Sequence, residues 1–153
     1  MSTETIEQFY VIGISTRTCN KNRQAAEDIE ALWVKFWNEN IQERIPNKSS
    51  EDIYVVYNDY ESDFNHAYTT IIGRPVTSLE QIPDGFVGVT IEEAKYEKFV
   101  SKGKMPEAVG KTWFEIWANT DLNRAYKADF TVHGKKYYDG DQAEVETFIS
   151  VMD

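Results

Sequence analysis

Two tryptophan pairs constrain this chain more than any other feature. Trp33 and Trp37 stand four positions apart, and eighty positions later Trp113 and Trp117 repeat the spacing. Each pair sits in the same apolar frame. An aliphatic residue lies four positions earlier (Ile29, Val109), and a large apolar residue directly precedes the second tryptophan (Phe36, Ile116). Steps of three and four place such residues on one face of a helix. Two matching helices predict a duplicated chain in which each half supplies one. The tryptophans are read as helix core, because their apolar-face spacing accounts for them.

The flanking segments agree with a repeated strand-helix-strand-strand unit. FYVIGISTRT, residues 9–18, is rich in β-branched and aromatic residues and reads as a strand. A polar turn then leads into a helix over about 24–44, with Ala26, Ile29, Trp33, Phe36, Trp37 and Ile41 on one face and Pro46 beyond its end. Residues 53–60 and 68–76 follow as strands. Gly73 and Pro75 in the second suggest a bulge or an edge position. Ile82-Pro83-Asp84-Gly85 is a turn, since proline fixes one dihedral and glycine accepts a positive one. The second half repeats the order, with a strand at 95–101, a helix from Pro106 to about 119, and strands at 126–133 and 143–151. The 153 residues allow one domain over 1–153, with repeat halves of about 1–80 and 86–153. The expected class is α+β, one antiparallel sheet carrying two main helices, with the halves meeting near a pseudo-twofold axis.

Charge narrows the partners. Sixteen Lys and Arg against twenty-six Asp and Glu leave a net charge of −10. Such a surface repels phosphate backbones and attracts cationic ligands, so no direct nucleic-acid contact is expected. The single Cys19 forms no internal disulfide. The first ten residues lack the basic start and apolar run of a secretory signal, and no stretch approaches a membrane span. A soluble, cytoplasmic protein with no membrane partner is expected.

The last strand, AEVETFISV, is the most informative segment for chemistry. Alternation places Glu144, Glu146, Phe148 and Ser150 on one face and Val145, Thr147, Ile149 and Val151 on the other, the better candidate for packing against helices. Two carboxylates about 7 Å apart beside an aromatic ring can floor an acidic pocket. If enclosed, their repulsion and desolvation would favour a cation. The other reading is a solvated outer face. Tyr54, Tyr57, Tyr60, Tyr68, Tyr96, Tyr126, Tyr137 and Tyr138 lie on or beside strands, where they either line a flat pocket or simply suit a pleated sheet. No His or Cys pair has metal-ligand spacing, no phosphate-binding or nucleophile-elbow motif occurs, and no cofactor or metal is expected.

Taken together, FYVIGIST, ALWVKFW, IYVVYNDYESD with YTTIIG, the IPDGF turn, KYEKFVSKG, WFEIW and AEVETFISV resemble the GyrI-like effector-binding domain, the ligand module of many AraC-type and multidrug-responsive bacterial regulators. The resemblance covers nearly the whole chain. It implies a curved antiparallel sheet and a pocket on its concave side, with aromatic walls and a buried glutamate that receive lipophilic, often cationic, aromatic molecules. Carried onto this chain, the acid is Glu146 or, second, Glu144, and the walls are Tyr57, Tyr68, Tyr96 and Phe148. Two departures bear on the ligand: ADFTVHG has Thr131 where many members carry an acid, and the last strand ends ISVMD where many have an apolar-Pro pair. The whole chain is taken up by the effector domain, so promoter control would need a separate regulator. The implied role is binding or sequestering a small aromatic cation. The alternatives are hydrolysis of reactive cyclopropane-type compounds with Glu146 as general acid or base, and a protein-interaction role such as that of a gyrase inhibitor.

Overall fold

The computed structural model describes residues 2–21, 24–61, 66–105, 107–119 and 122–152. Its longest pairing joins β2 (Phe9–Thr18) to β4 (Tyr68–Val76), antiparallel from Tyr10↔Val76 to Thr18↔Tyr68. Gly13 and Gly73 face one another there, and a Cβ on either would collide with the partner's backbone. Gly73 thus serves close strand approach. Pro75 pairs with Val11, two positions past Gly73, the last β4 residue paired with β3, so its missing N–H deprives no β3 ladder.

The other strands are β1 (Ser2–Ile6), β3 (Ile53–Asn58), β5 (Val87–Ile91), β6 (Ala94–Lys102), β7 (Ala128–His133) and β8 (Glu144–Ser150). All eight form one antiparallel sheet in the order β1-β6-β8-β7-β3-β4-β2-β5. The order is symmetrical. The units β2-α1-β3-β4 and β6-α3-β7-β8 meet at β3 and β7, where Tyr54↔Val132 and Val56↔Phe130 pair. Each unit's preceding strand crosses over to extend the other unit: β1 pairs with β6, and β5 with β2. The expected α+β duplication is the observed fold. Strands β1 and β5 were not anticipated, because STETI is short and polar and VGVTI is interrupted by glycine.

The sheet curls strongly. Phe9 on β2 and Phe130 on β7 are separated by two strands, which at ~4.8 Å each would hold them ~14 Å apart on a flat sheet. Their ring centroids are 5.2 Å apart. The face carrying Val11, Val56, Ile71, Tyr96, Phe130 and Phe148 is therefore the concave one, and these side chains fill it. The convex face carries the helices α1 (Gln24–Asn38), the short α2 (Ile41–Arg44) and α3 (Glu107–Ala118).

Leu32 and Phe36 of α1 pack on Ile12, Ile14, Val55 and Ile72. Full burial of a side chain such as Phe36 stabilises the fold by roughly 1.5–3 kcal/mol. The expected single helix over 24–44 breaks at Asn40, whose φ of 51° is left-handed, a conformation asparagine tolerates better than most residues. The buried stripe of α1 runs through Ala25, Leu32 and Phe36: Phe36 is where the expected face placed it, while Ala25 and Leu32 take the burial expected of Ala26 and Trp33. The tryptophans consequently flank the core, with Trp37 42% exposed. In α3 the buried positions are Thr112 and Ile116, again the neighbours of the tryptophans. Pro106, expected to open this helix, lies outside the described residues.

Candidate functional site

Helix α1 covers β2 and β4, while α3 covers β6. Between them a strip of convex sheet is left to β3, β7 and β8. Cross-strand partners share a face, so Val55↔Thr131, Tyr57↔Asp129 and Ile53↔His133 place Thr131, Asp129 and His133 on this strip. Thr147 joins them through its pairing with Thr131. The strip is polar yet buried: Asp129 and Thr147 are 0% exposed and Thr131 1%.

Asp129 is the centre of the strip. Its Oδ1 accepts the backbone N–H of Ser150 at 2.7 Å and the Ser150 hydroxyl at 3.0 Å. Its Oδ2 accepts the Tyr60 hydroxyl and the Arg124 Nη2 at 2.8 Å. Around this carboxylate stand aromatic rings. Tyr57 lies 5.1 Å from Trp113 and 6.2 Å from Tyr68, while Tyr60 lies 5.7 Å from Tyr68 and 5.5 Å from Tyr126. Burial, with the neighbouring Tyr68 second, raises the Tyr57 hydroxyl well above its ordinary value, and hydrogen bonds with Thr131 and Trp113 offset this only in part. Burial and then the Asp129 charge raise Tyr60, and burial raises Tyr68 to about 12. These phenols stay neutral and can donate.

At the other end of the strip His133 sits between Trp33, at 5.3 Å, and Tyr137, at 4.6 Å. Burial lowers its pKa to about 4, so the ring is neutral at pH 7. The two repeated tryptophans thus border opposite ends of one polar strip. Several of its polar atoms lack a partner: Thr70 Oγ1, Thr147 Oγ1, His133 Nδ1, and Nε and Nη1 of Arg124. Each such buried group carries a desolvation cost of ~1–3 kcal/mol, so a concentration of them marks where an outside molecule could improve the bonding.

The six residues expected to form one pocket divide between the two faces. Tyr57 and Tyr68 belong to the convex strip. Tyr96 and Phe148 are buried in the concave face, where Phe130 lies 5.3 Å from Tyr96 and stacks on Phe148 at 4.9 Å. Burial, with Asp129 a lesser cause, raises Tyr96 to about 12. Glu144 and Glu146 share that face with Phe148, as alternation requires, but neither is enclosed without a counter-ion. Glu146 pairs with Lys98 and its side chain is 42% exposed, while Glu144 takes Lys136 at 2.9 Å and Lys102 at 3.5 Å. The sheet itself lies between the two groups, so they cannot line one pocket. Asp129, Arg124 and Trp113, which the structure brings together here, were not among the expected pocket residues. The signal was present in ADFTVHG, where 129, 131 and 133 alternate as polar residues, but that pattern reads as a solvated face.

The concave side also has an open groove of about 600 Å³ at the β5–β6 end, with Ile71, Val89 and Tyr96 on its floor and Glu92, Glu93 and Lys127 among its lining. Among the described residues no helix is long and apolar enough to cross a membrane.

Comparison with known proteins agrees with this architecture. Residues 3–151 match the family described as integron-associated effector binding protein. A crystal structure of an integron cassette protein from the mobile metagenome of Vibrio cholerae is 30% identical, with 99% of this chain and 95% of that one covered and a TM-score of 0.75. SAV2435, solved bound to tetraphenylphosphonium, superimposes with a TM-score of 0.82 over 99% of this chain and 93% of its own, at 16% identity. YobU of Bacillus subtilis (strain 168), a candidate transcriptional regulator by its name, is 25% identical over 143 residues, covering 91% of this chain and 89% of its own. The symmetrical curled sheet, its flanking helices and the match over residues 3–151 together place this chain in the integron-associated effector-binding protein family, built on the GyrI-like fold.

Proposed function

We propose that the chain binds a flat aromatic organic cation on the convex strip between α1 and α3, with Asp129 as its counter-ion and Tyr57, Tyr60, Tyr68 and Trp113 as its walls. The observation that carries this reading is a fully buried carboxylate surrounded by aromatic rings. Micromolar affinity needs about −8.2 kcal/mol. Cation–π contacts of up to ~2 kcal/mol each and a charge-assisted hydrogen bond of ~1.5–3 kcal/mol supply much of it, and apolar burial the rest. The tetraphenylphosphonium held by SAV2435 and the regulator-like name of YobU support an effector role, either sensing for a separate regulator or sequestration. Glu146 is the less suitable acid, because its side chain is 42% exposed whereas that of Asp129 is fully buried.

Calorimetric titration with a planar acridinium and its uncharged isostere tests the reading. Wild type should prefer the cation. The preference should vanish in Asp129→Asn, weaken in Tyr57→Leu and persist in Glu146→Gln, with folding checked by thermal unfolding. Loss in Glu146→Gln alone would move the ligand to the concave face.

A further inference from the structure

Arg124 lies in the link between α3 and β7, tied to the end of β8 by Ala125 N–H to Ser150 O at 2.9 Å and Met152 N–H to Asn123 O at 2.9 Å. Its guanidinium is only 5% exposed. It lies over the Tyr126 ring at 4.3 Å, with the Tyr60 and Trp113 rings at 5.9 and 6.0 Å, and it donates to Asp129 Oδ2 at 2.8 Å. A flat, delocalised cation held by aromatic faces and one buried carboxylate is the arrangement just assigned to a ligand.

Arg124 is also poorly held for a buried guanidinium. Nε and Nη1 are buried with no hydrogen-bond partner, so a group with five potential donors leaves two nitrogens unserved. Tyr126, whose ring it covers most closely, holds a φ of 54°, a left-handed conformation that is uncommon for a bulky residue. An under-bonded cation beside a strained backbone is easier to displace than a satisfied ion pair.

Resting on the reading of the strip as the ligand site, we infer that Arg124 is a resident competitor: it fills the cation position over Asp129, and a ligand binds by displacing it. The geometry also defines the ligand class. Losing Arg124 costs Asp129 Oδ2 an N–H donor, leaving it only the Tyr60 hydroxyl. The fitting occupant is an aromatic amidinium or guanidinium, which returns both the flat charge and the N–H. A quaternary ammonium returns the charge alone. Arg124 then sets a threshold, because apparent affinity falls in proportion to the fraction of molecules whose site is free.

The test uses benzamidine, neutral benzamide and phenyltrimethylammonium on wild type and Arg124→Met, which keeps the length of the side chain and removes its charge. Benzamidine should bind the variant about tenfold or more tightly than wild type, benzamide should gain nothing, and phenyltrimethylammonium should gain less than benzamidine. Nitrogen-15 spectra of wild type give a readout that does not depend on the variant folding. On titration with benzamidine the Arg124 Nε–H signal should shift or exchange away together with the Trp113 indole signal. Saturation that moves Trp113 but leaves Arg124 unchanged, or equal benzamidine affinity in both proteins, overturns the competitor. Absence of any shift on the strip with every probe overturns the cation site itself, and the competitor with it.

Discussion

The two faces of the sheet are built from the same strands, yet they are filled by different kinds of side chain. The concave face is largely apolar, with Asn58 Oδ1 the buried unpartnered atom beside its groove. Phe9, Tyr54, Phe130 and Phe148 close on one another, and the acids of β8 remain at the margin with lysine partners. The convex face is apolar under α1 and at Val145 and Ile149 of β8, and between the helices it also buries Asp129, Thr131, His133 and Thr147. Burying these groups is unfavourable unless they are bonded, and His133 Nδ1 and Thr147 Oγ1 are not. The concave face is therefore mainly apolar packing, while the convex strip holds more of the buried polar atoms that lack a partner.

The largest test of this contrast is a pair of substitutions on neighbouring residues that point in opposite directions. Phe130→Ala on the concave face should cost about 3–5 kcal/mol through the cavity it leaves, without altering the preference for a cation. Asp129→Asn on the convex face should cost a similar ~3–5 kcal/mol by leaving Arg124 buried and unpaired, and should abolish that preference. Denaturant unfolding combined with titration separates the two. If both variants lose ligand discrimination equally, the division of labour between the faces fails.

Acid should act through the convex face. His133 has a folded pKa of about 4, below its ordinary 6.5, because burial penalises the charged ring. Between those values the unfolded chain binds the extra proton, so stability rises with pH. Full stability is present above about pH 6.5 and declines as pH falls toward 4, by roughly 3 kcal/mol in total from this group. His133→Gln should flatten that part of the unfolding profile. The smallest effects separate the faces most finely. Thr147→Val removes an unbonded buried hydroxyl and should raise stability by about 1 kcal/mol while weakening ligand binding. Glu146→Gln should change stability by less than ~1 kcal/mol, as for other solvent-exposed ion pairs. Chemical denaturation curves would show either.

Much of the architecture was legible because strands and helices announce themselves by period. The strand at 68–76 and the strand at 9–18 fall where β-branched runs place them. The paired tryptophans marked the two halves, although the helices turn so that Leu32, Phe36 and Ile116 form the core and the tryptophans border the strip. The site was less legible, for a physical reason. Period 2 tells which residues share a face but not whether that face meets solvent. The alternation of Asp129, Thr131 and His133 shows a shared face, while their burial depends on elements distant in sequence. Glu144 and Glu146 drew notice as the clustered acids of the last strand, where sequence shows the carboxylates but not that Lys98, Lys102 and Lys136 reach them.

The crossed placement of β1 and β5 has a consequence in time. Thr3 finds its partner Glu97 ninety-four positions away, and β5 pairs back onto β2 before β6 can begin the second unit. Neither half can complete its edge from its own residues. Folding should therefore proceed on the order of milliseconds to seconds, as in proteins dominated by distant pairings. The first strand should dock late, and its amides should be among the earliest of the sheet to exchange with solvent deuterium.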